Sequence, residues 1–295
     1  MTFPQWMRAN LDRVEMALAN YLPGMHVGLE KLHEAMRYAV LGGGKRVLPL
    51  LCHGAGELVG ARSPGLEVAS VSLEFIHAYS LVHDDMPAMD DDVLRRGKPT
   101  VHVRYDEATA LLVGDALQSQ AFIALTADHN GLSAEQQVAL VRELARASGS
   151  LGMVGGQAID LASIGRKLSR AELETMHRQK TGALIRAAVR MGALCGETPE
   201  ASTMSALDAY AEAIGLAFQV VDDILDVTAD SATLGKTAGK DAQHDKPTYV
   251  SLIGLDGSRE LATQLGRDAH EALETLGPRA ASLRELANLV VTRVH

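Results

Sequence analysis

Twice in this chain a strongly apolar helical stretch runs straight into a group of aspartates, and that pairing limits how the chain can fold. The first stretch, Val68 to Val82, ends on His83-Asp84-Asp85 and is followed within a few residues by Asp90-Asp91-Asp92. The second ends on Gln219-Val-Val-Asp222-Asp223-Ile-Leu-Asp226. Charge at the end of a buried helix is costly unless something compensates it. Asp222 and Asp226 lie one turn apart, with Asp223 three residues before Asp226, so these carboxylates converge on one helix face. Clustered anions repel one another until a cation neutralises them. Oxygen ligands without His or Cys partners select Mg²⁺, which takes one or two carboxylates and leaves positions for phosphate oxygens. A single Asp-Asp-x-x-Asp reads equally well as a solvated helix end. Two of them, each closing an apolar helix, favour metal.

Helical signal runs through nearly the whole chain. Leu29, Leu32, Met36, Ala39 and Val40 share one face at a 3.6-residue period, and Gly42-Gly43-Gly44 stops that helix. Further helices are predicted over 68–85, ahead of Pro87, and over 108–127, 169–195, 204–227, 258–276 and 279–293. Ser169 with Glu172 reads as a capping box. Breaks fall at 60–65, 97–99, 196–201 and 230–247, none of low complexity, and there is no internal repeat. The expectation is one all-α domain spanning 1–295, a bundle of about ten or more helices.

Composition removes several function classes. With 47% hydrophobic and 22% charged residues in 295, the chain can build a large core, which excludes intrinsic disorder. No uncharged apolar stretch approaches the ~18–20 residues of a membrane span, and no secretory signal is visible. Cys52 and Cys195 suit a reducing compartment, so a cytoplasmic location is expected. A net charge of −9 gives no global attraction for nucleic acid or anionic lipid. Cations nonetheless stand beside the aspartates: Lys45 and Arg46 after the glycines, Arg95 and Arg96 after the first cluster, Lys180, and Lys236, Lys240 and Lys246 after the second. Arginine grips phosphate as a fork and lysine as a point charge. For each alone, a surface ion pair is the plainer reading.

These residues together resemble the trans-isoprenyl diphosphate synthase family. The resemblance rests on Gly43-Gly44-Lys45-Arg46, on Glu74 to Thr100 including both arginines, and on Gly114-Asp115-Ala116-Leu117. It continues through Gly155-Gly156-Gln157-Ala158-Ile159-Asp160, Lys180-Thr181-Gly182, Phe218 to Asp226 and Lys236, covering roughly residues 28–255 in order. The four-residue spacer between Asp85 and Asp90 resembles the bacterial farnesyl diphosphate synthase type. What the resemblance implies is an all-helical fold around a deep central cavity, a homodimer, and head-to-tail joining of isopentenyl diphosphate to dimethylallyl or geranyl diphosphate. It implies Mg²⁺, three ions per site with Mn²⁺ as a substitute, held by Asp84, Asp85 and Asp90 on one wall and Asp222, Asp223 and Asp226 on the other. Lys45, Arg46, His77 and Arg96 correspond to the isopentenyl diphosphate pocket. Arg95, Lys180, Thr181, Gln219, Lys236 and Lys246 correspond to contacts with the allylic diphosphate.

One departure stands out: the family commonly reads Gly-Gly-Lys-Arg-x-Arg-Pro, and here Leu48 replaces the second arginine before Pro49. Losing a charge-assisted bond removes ~1.5–3 kcal/mol of binding, so weaker isopentenyl diphosphate affinity is expected. Tyr79, five residues before Asp84, lies about 7–8 Å further down a helix at ~1.5 Å per residue. With Ser80 it is the expected chain-length position, an aromatic floor suited to a C15 product; core packing is its plainer reading. Rivals are a longer-chain prenyltransferase, a terpene cyclase, a metal phosphohydrolase built on His83-Asp84, and a non-catalytic subunit. A cyclase would want an aromatic-rich pocket, against 4% aromatic content here, and a hydrolase would want further histidines at supporting spacing. His53, Cys52 and Cys195 read as core, the methionines as gap fillers, and His244 and Asp245 as solvated loop.

Overall fold

The computed structural model describes residues 1–292 apart from Met25, Arg62, His129 and 230–245. Its elements are α1 (Phe3–Tyr21), α2 (Glu30–Val40), α3 (Val47–Leu58), α4 (Ser63–Asp84), a two-stranded hairpin of β1 (Leu94–Arg95) and β2 (Lys98–Pro99), and α5 (Val101–Arg104). Then follow α6 (Glu107–Leu125), α7 (Ala134–Ser148), α8 (Met153–Ala162), α9 (Arg170–His177), a π-helical turn (Arg178–Gly182), α10 (Ala183–Leu194) and α11 (Ala201–Thr228). The chain closes with α12 (Tyr249–Ala272), a 3₁₀ turn (Glu274–Ala280) and α13 (Ala281–Val291). The all-α expectation holds, with the four-residue hairpin the sole sheet among the described residues.

α4 is the central element. It packs against α3 and α6, α10 against α3, α7 and α11, and α11 against α12. Its residues from Val68 to Ile76 are buried on every side, which is why this helix shows an apolar run rather than a stripe. α3 is likewise buried all round; Pro49 falls in its first turn, where no helical N–H partner is lost. The expected 169–195 helix is two helices joined through the π turn. Its start is as expected: Ser169 Oγ accepts from the Glu172 N–H and the Glu172 carboxylate accepts from the Ser169 N–H at 2.8 Å. The expected 258–276 helix begins earlier, at Tyr249, and bends at Gly254, whose φ of 74° leaves the helical region. α6 is, among the described residues, the one helix long and apolar enough to cross a membrane. It carries Asp115 and lies against α2, α4, α5 and α7 as a core helix of the bundle.

Candidate active site

The C-terminal ends of α4 and α11 face a cavity of about 1120 Å³ between them. Both ends are the negative poles of their helices, which worsens the electrostatics of the aspartates placed there. After α4 the chain folds back over its own last turn. The Asp90 N–H donates to the Asp84 carbonyl at 2.8 Å and the Asp92 N–H to the Asp85 carbonyl at 3.1 Å. That reversal returns Asp90 to the level of Asp84, so the two carboxylates line the cavity together. Burial, with Asp90 and Asp85 adding repulsion, pushes the Asp84 carboxyl up to about 6 despite nearby Lys180 and Arg95. Such a carboxylate is short of positive charge. Asp91 takes the left-handed conformation of the turn (φ 50°) and points to solvent, consistent with its place outside the motif.

Asp85 does not line this cavity. It is buried behind it, gripped by Arg95 through Nε at 2.8 and 2.9 Å and Nη2 at 2.6 Å. Asp90 is paired with Lys246 at 2.8 Å. The hairpin carrying the two arginines turns through Arg96 and Gly97, both at positive φ (53° and 71°), the two-residue turn that suits a tight hairpin. Tyr38 Oη ties the hairpin down by donating to the Pro99 carbonyl at 2.6 Å. Arg96 then reaches the glycine loop, donating to the Gly43 carbonyl and lying over Gly44, where any Cβ would collide with its guanidinium. His77 lies among Arg96, Arg95 and Arg46; burial and those charges depress its pKa against the pull of Glu74.

Arg46 departs from its expected role. Its Nε donates to Glu15 at 2.7 Å, Nη1 to Glu74 at 2.8 Å and Nη2 to the Val40 carbonyl at 2.8 Å. With its side chain buried and three of its five N–H donors engaged, Arg46 braces the cavity wall that it also lines. Lys45, beside it, is exposed at the cavity. Leu48 lines the cavity with an apolar side chain.

On the opposite wall the aspartates have different partners. Asp222 faces the cavity. Asp223 also lines the cavity but is largely buried, accepting from Gln219 Nε2 at 2.8 Å and from the Tyr249 backbone N–H at 2.8 Å. It therefore anchors the start of α12 to α11. Asp226 is buried outside the cavity lining, and its Oδ2 has no hydrogen-bond partner among the described residues. The π turn brings in Lys180 and Thr181. Lys180 Nζ pairs with Asp160 of α8 at 2.5 Å, and Thr181 Oγ1 donates to Gln219 Oε1 at 3.2 Å. A π turn inside a helix often marks a functional site, and here glycines make room for it. A Cβ on Gly156 would lie 2.1 Å from the Lys180 backbone nitrogen. Tyr79 lines the deeper cavity, edge-on to His83 at 5.8 Å, and Ser80 lines it while donating to the His77 carbonyl. His83 in turn rests against α6 at Gly114, where a Cβ would lie 1.9 Å from its Nε2. Lys236, Lys240, His244 and Asp245 lie outside the described residues.

Among the described residues no three His, Cys, Asp or Glu side chains stand close enough to form a ready-made metal cluster. The donor set still fits Mg²⁺. It is all oxygen, split across two walls, with the Asp84 carboxyl short of positive charge and an unpaired oxygen on Asp226. Reading the sequence missed the role of Glu74, partner of Arg46, and of Asp160, partner of Lys180; a buried acid within an apolar helix was the available signal for Glu74.

A family model, Polyprenyl synthetase, matches residues 29–277. Farnesyl diphosphate synthase of Escherichia coli is 46% identical over 99% of both chains. A chloroplastic geranylgeranyl pyrophosphate synthase of Catharanthus roseus is 48% identical over 89% of this chain and 74% of its own. The crystal structure of a Helicobacter pylori geranyltransferase complexed with magnesium and isoprenyl diphosphate superposes with a TM-score of 0.87 at 32% identity, covering 98% of this chain and 96% of that one. The match spans the glycine loop, both aspartate walls and the π turn between them, and the chain belongs to the polyprenyl synthetase family.

Proposed function

We infer that this chain condenses isopentenyl diphosphate with dimethylallyl or geranyl diphosphate, giving farnesyl diphosphate and diphosphate. The observation that carries the reading is the pair of carboxylate walls, Asp84 with Asp90 and Asp222, facing each other across one cavity flanked by Lys180, Arg95 and Arg96. When bound, Mg²⁺ (three ions in this reading, with Mn²⁺ able to substitute) would supply positive charge for the leaving diphosphate. Asp84, Asp90 and Asp222 hold it. Asp85 contributes from behind by positioning Arg95, and Asp223, at the cavity beside Asp222, also anchors α12.

The residues of the chain do the remainder. The allylic C–O bond breaks with its electron pair leaving on the diphosphate, next to Lys180, Arg95 and Lys246. Lys45, His77 and Arg96 hold the second diphosphate, so that its double bond attacks the allylic carbon. A proton then leaves the new chain, and the departing diphosphate is the nearest base. The apolar cavity excludes water, which would trap the cation as an alcohol. Tyr79 forms the floor, with Ser80 above it, and limits the product to C15.

Residues 1–295 form one domain in this reading, since α1 packs on α3 and α4 and Trp6 Nε1 donates to Glu57 at 2.7 Å. A homodimer is supported by the exposed apolar residues Leu112 and Ile123 on α6, and light scattering tests it. We place the protein in the cytoplasm, as its two unpaired, buried cysteines suit. The test of the function is incubation with isopentenyl diphosphate and either primer, with product length read by mass spectrometry. C15 supports it, C20 discards the Tyr79 floor, and no condensation by folded protein overturns it.

A further inference from the structure

We propose that Gln157 is a catalytic residue whose side-chain amide oxygen stabilises the allylic cation; this rests on the prenyl-transfer reading above. α8 lays one face along the cavity, and that face is Met153, Val154, Gln157, Ala158 and Leu161. Gln157 is its one polar side chain. Both its Oε1 and its Nε2 are buried, and neither has a hydrogen-bond partner among the described residues. A buried amide left unpaired is a cost that packing alone gives no reason to keep, because an apolar side chain of the same length would fill the space better. A buried amide with no partner also keeps its oxygen available for charge that appears only during reaction.

Position supports that use. Gln157 lies three residues before Asp160, the partner of Lys180, so it is about 4.5 Å from that pair along the helix at ~1.5 Å per residue. Lys180 and Gln157 line the same cavity, so in the prenyl-transfer reading the amide stands about one helical turn from the group that meets the diphosphate. The rest of this wall offers the cation little. Tyr79 and Phe218 are the only Phe, Tyr or Trp side chains lining the cavity among the described residues, so stabilisation by aromatic faces is scarce. An amide suits the task better than a carboxylate. It presents a partial negative charge, whereas a carboxylate would bond to the cation or take its proton. When the C–O bond breaks, the electron pair leaves with the diphosphate and the allylic fragment becomes positive. The Gln157 dipole is then fixed beside it in a dry site, where such a group is worth most.

The test compares wild type with Gln157→Met, a near match in length without the amide. The readouts are kcat, KM for both substrates, and Tm. The expected result is a kcat lower by about 10- to 100-fold, both KM values within about threefold, and a Tm equal to or above wild type. A kcat within threefold of wild type overturns the proposal. So does a kcat loss accompanied by a clear drop in Tm, which assigns the residue to packing. Wild type that condenses neither primer takes down the prenyl-transfer reading as well; active wild type with an unaffected variant takes down this proposal alone.

Discussion

The ends of α4 and α11 carry similar aspartate sequences and neutralise them in different ways. At α4 the groups behind the exposed carboxylates are cations: Arg95 on Asp85 and Lys246 on Asp90. At α11 they include uncharged donors, the Gln219 amide and the Tyr249 backbone N–H on Asp223, while one oxygen of Asp226 has no hydrogen-bond partner. The first wall is thus tied to the basic hairpin and the chain after 245. The second is tied to the helix that follows it. The clusters do not turn every acid to the cavity: Asp84, Asp90, Asp222 and Asp223 line it, whereas Asp85 is held behind it by Arg95 and Asp226 is buried outside the lining.

The sharpest way to break this comparison is to neutralise one acid of each kind. Asp84→Asn and Asp222→Asn should each lower kcat by on the order of 10³-fold with Tm little changed. Asp85→Asn, which keeps an acceptor for Arg95 behind the cavity, should lose far less. Equal losses in steady-state kinetics would erase the distinction between cavity-facing and scaffold acids.

The start of α12, which Asp223 anchors, should also be sensitive to acid. His177 stacks on Tyr249 at 5.5 Å, and burial lowers its pKa to about 4. An imidazole with a folded pKa below its unfolded value of 6.5 contributes full stability above pH 6.5. That contribution, at most about 3 kcal/mol, is lost as pH falls from 6.5 towards 4. His53, held near 4 for the same reason, adds a parallel loss. Denaturant unfolding across this range should show a stability slope that His177→Phe roughly halves; an unchanged slope would remove His177 from the account.

A smaller effect is expected when the anchor of α12 is cut. Asp223→Ala leaves the buried Tyr249 N–H without its acceptor and should cost about 1–3 kcal/mol in chemical denaturation. Leu48→Arg addresses the basic side. With Arg46 committed to Glu15 and Glu74, an added arginine should lower KM for isopentenyl diphosphate by about tenfold, since a charge-assisted bond is worth ~1.5–3 kcal/mol. An unchanged KM would mean that Lys45, His77 and Arg96 already suffice.

Much of this was legible in the sequence, and the omissions have physical causes. The aspartate groups, the arginine pair and the Ser169 capping box are local signals, and each appears where expected. α3 and α8 escaped because their patterns are poor: α3 is buried all round and has no stripe, and α8 contains Gly155 and Gly156 in its interior. Those glycines make sense only once the Ser150 carbonyl and the Lys180 backbone are seen pressed against them. The role of Arg46 was misjudged for a related reason. Glu15 and Glu74 stand 31 and 28 residues away, so only the fold shows that they engage two of its five donors.

The central claim is that the two walls become a metal site only together with a diphosphate between them. Calorimetric titration of Mg²⁺ tests it, with and without a non-hydrolysable allylic thiodiphosphate. The account predicts weak binding to the protein alone, because no three acids among the described residues form a cluster, and tight binding once the diphosphate is present. The integrated stoichiometry would then give the number of ions. Tight binding of Mg²⁺ without the diphosphate, or diphosphate binding that survives chelation undiminished, would contradict it.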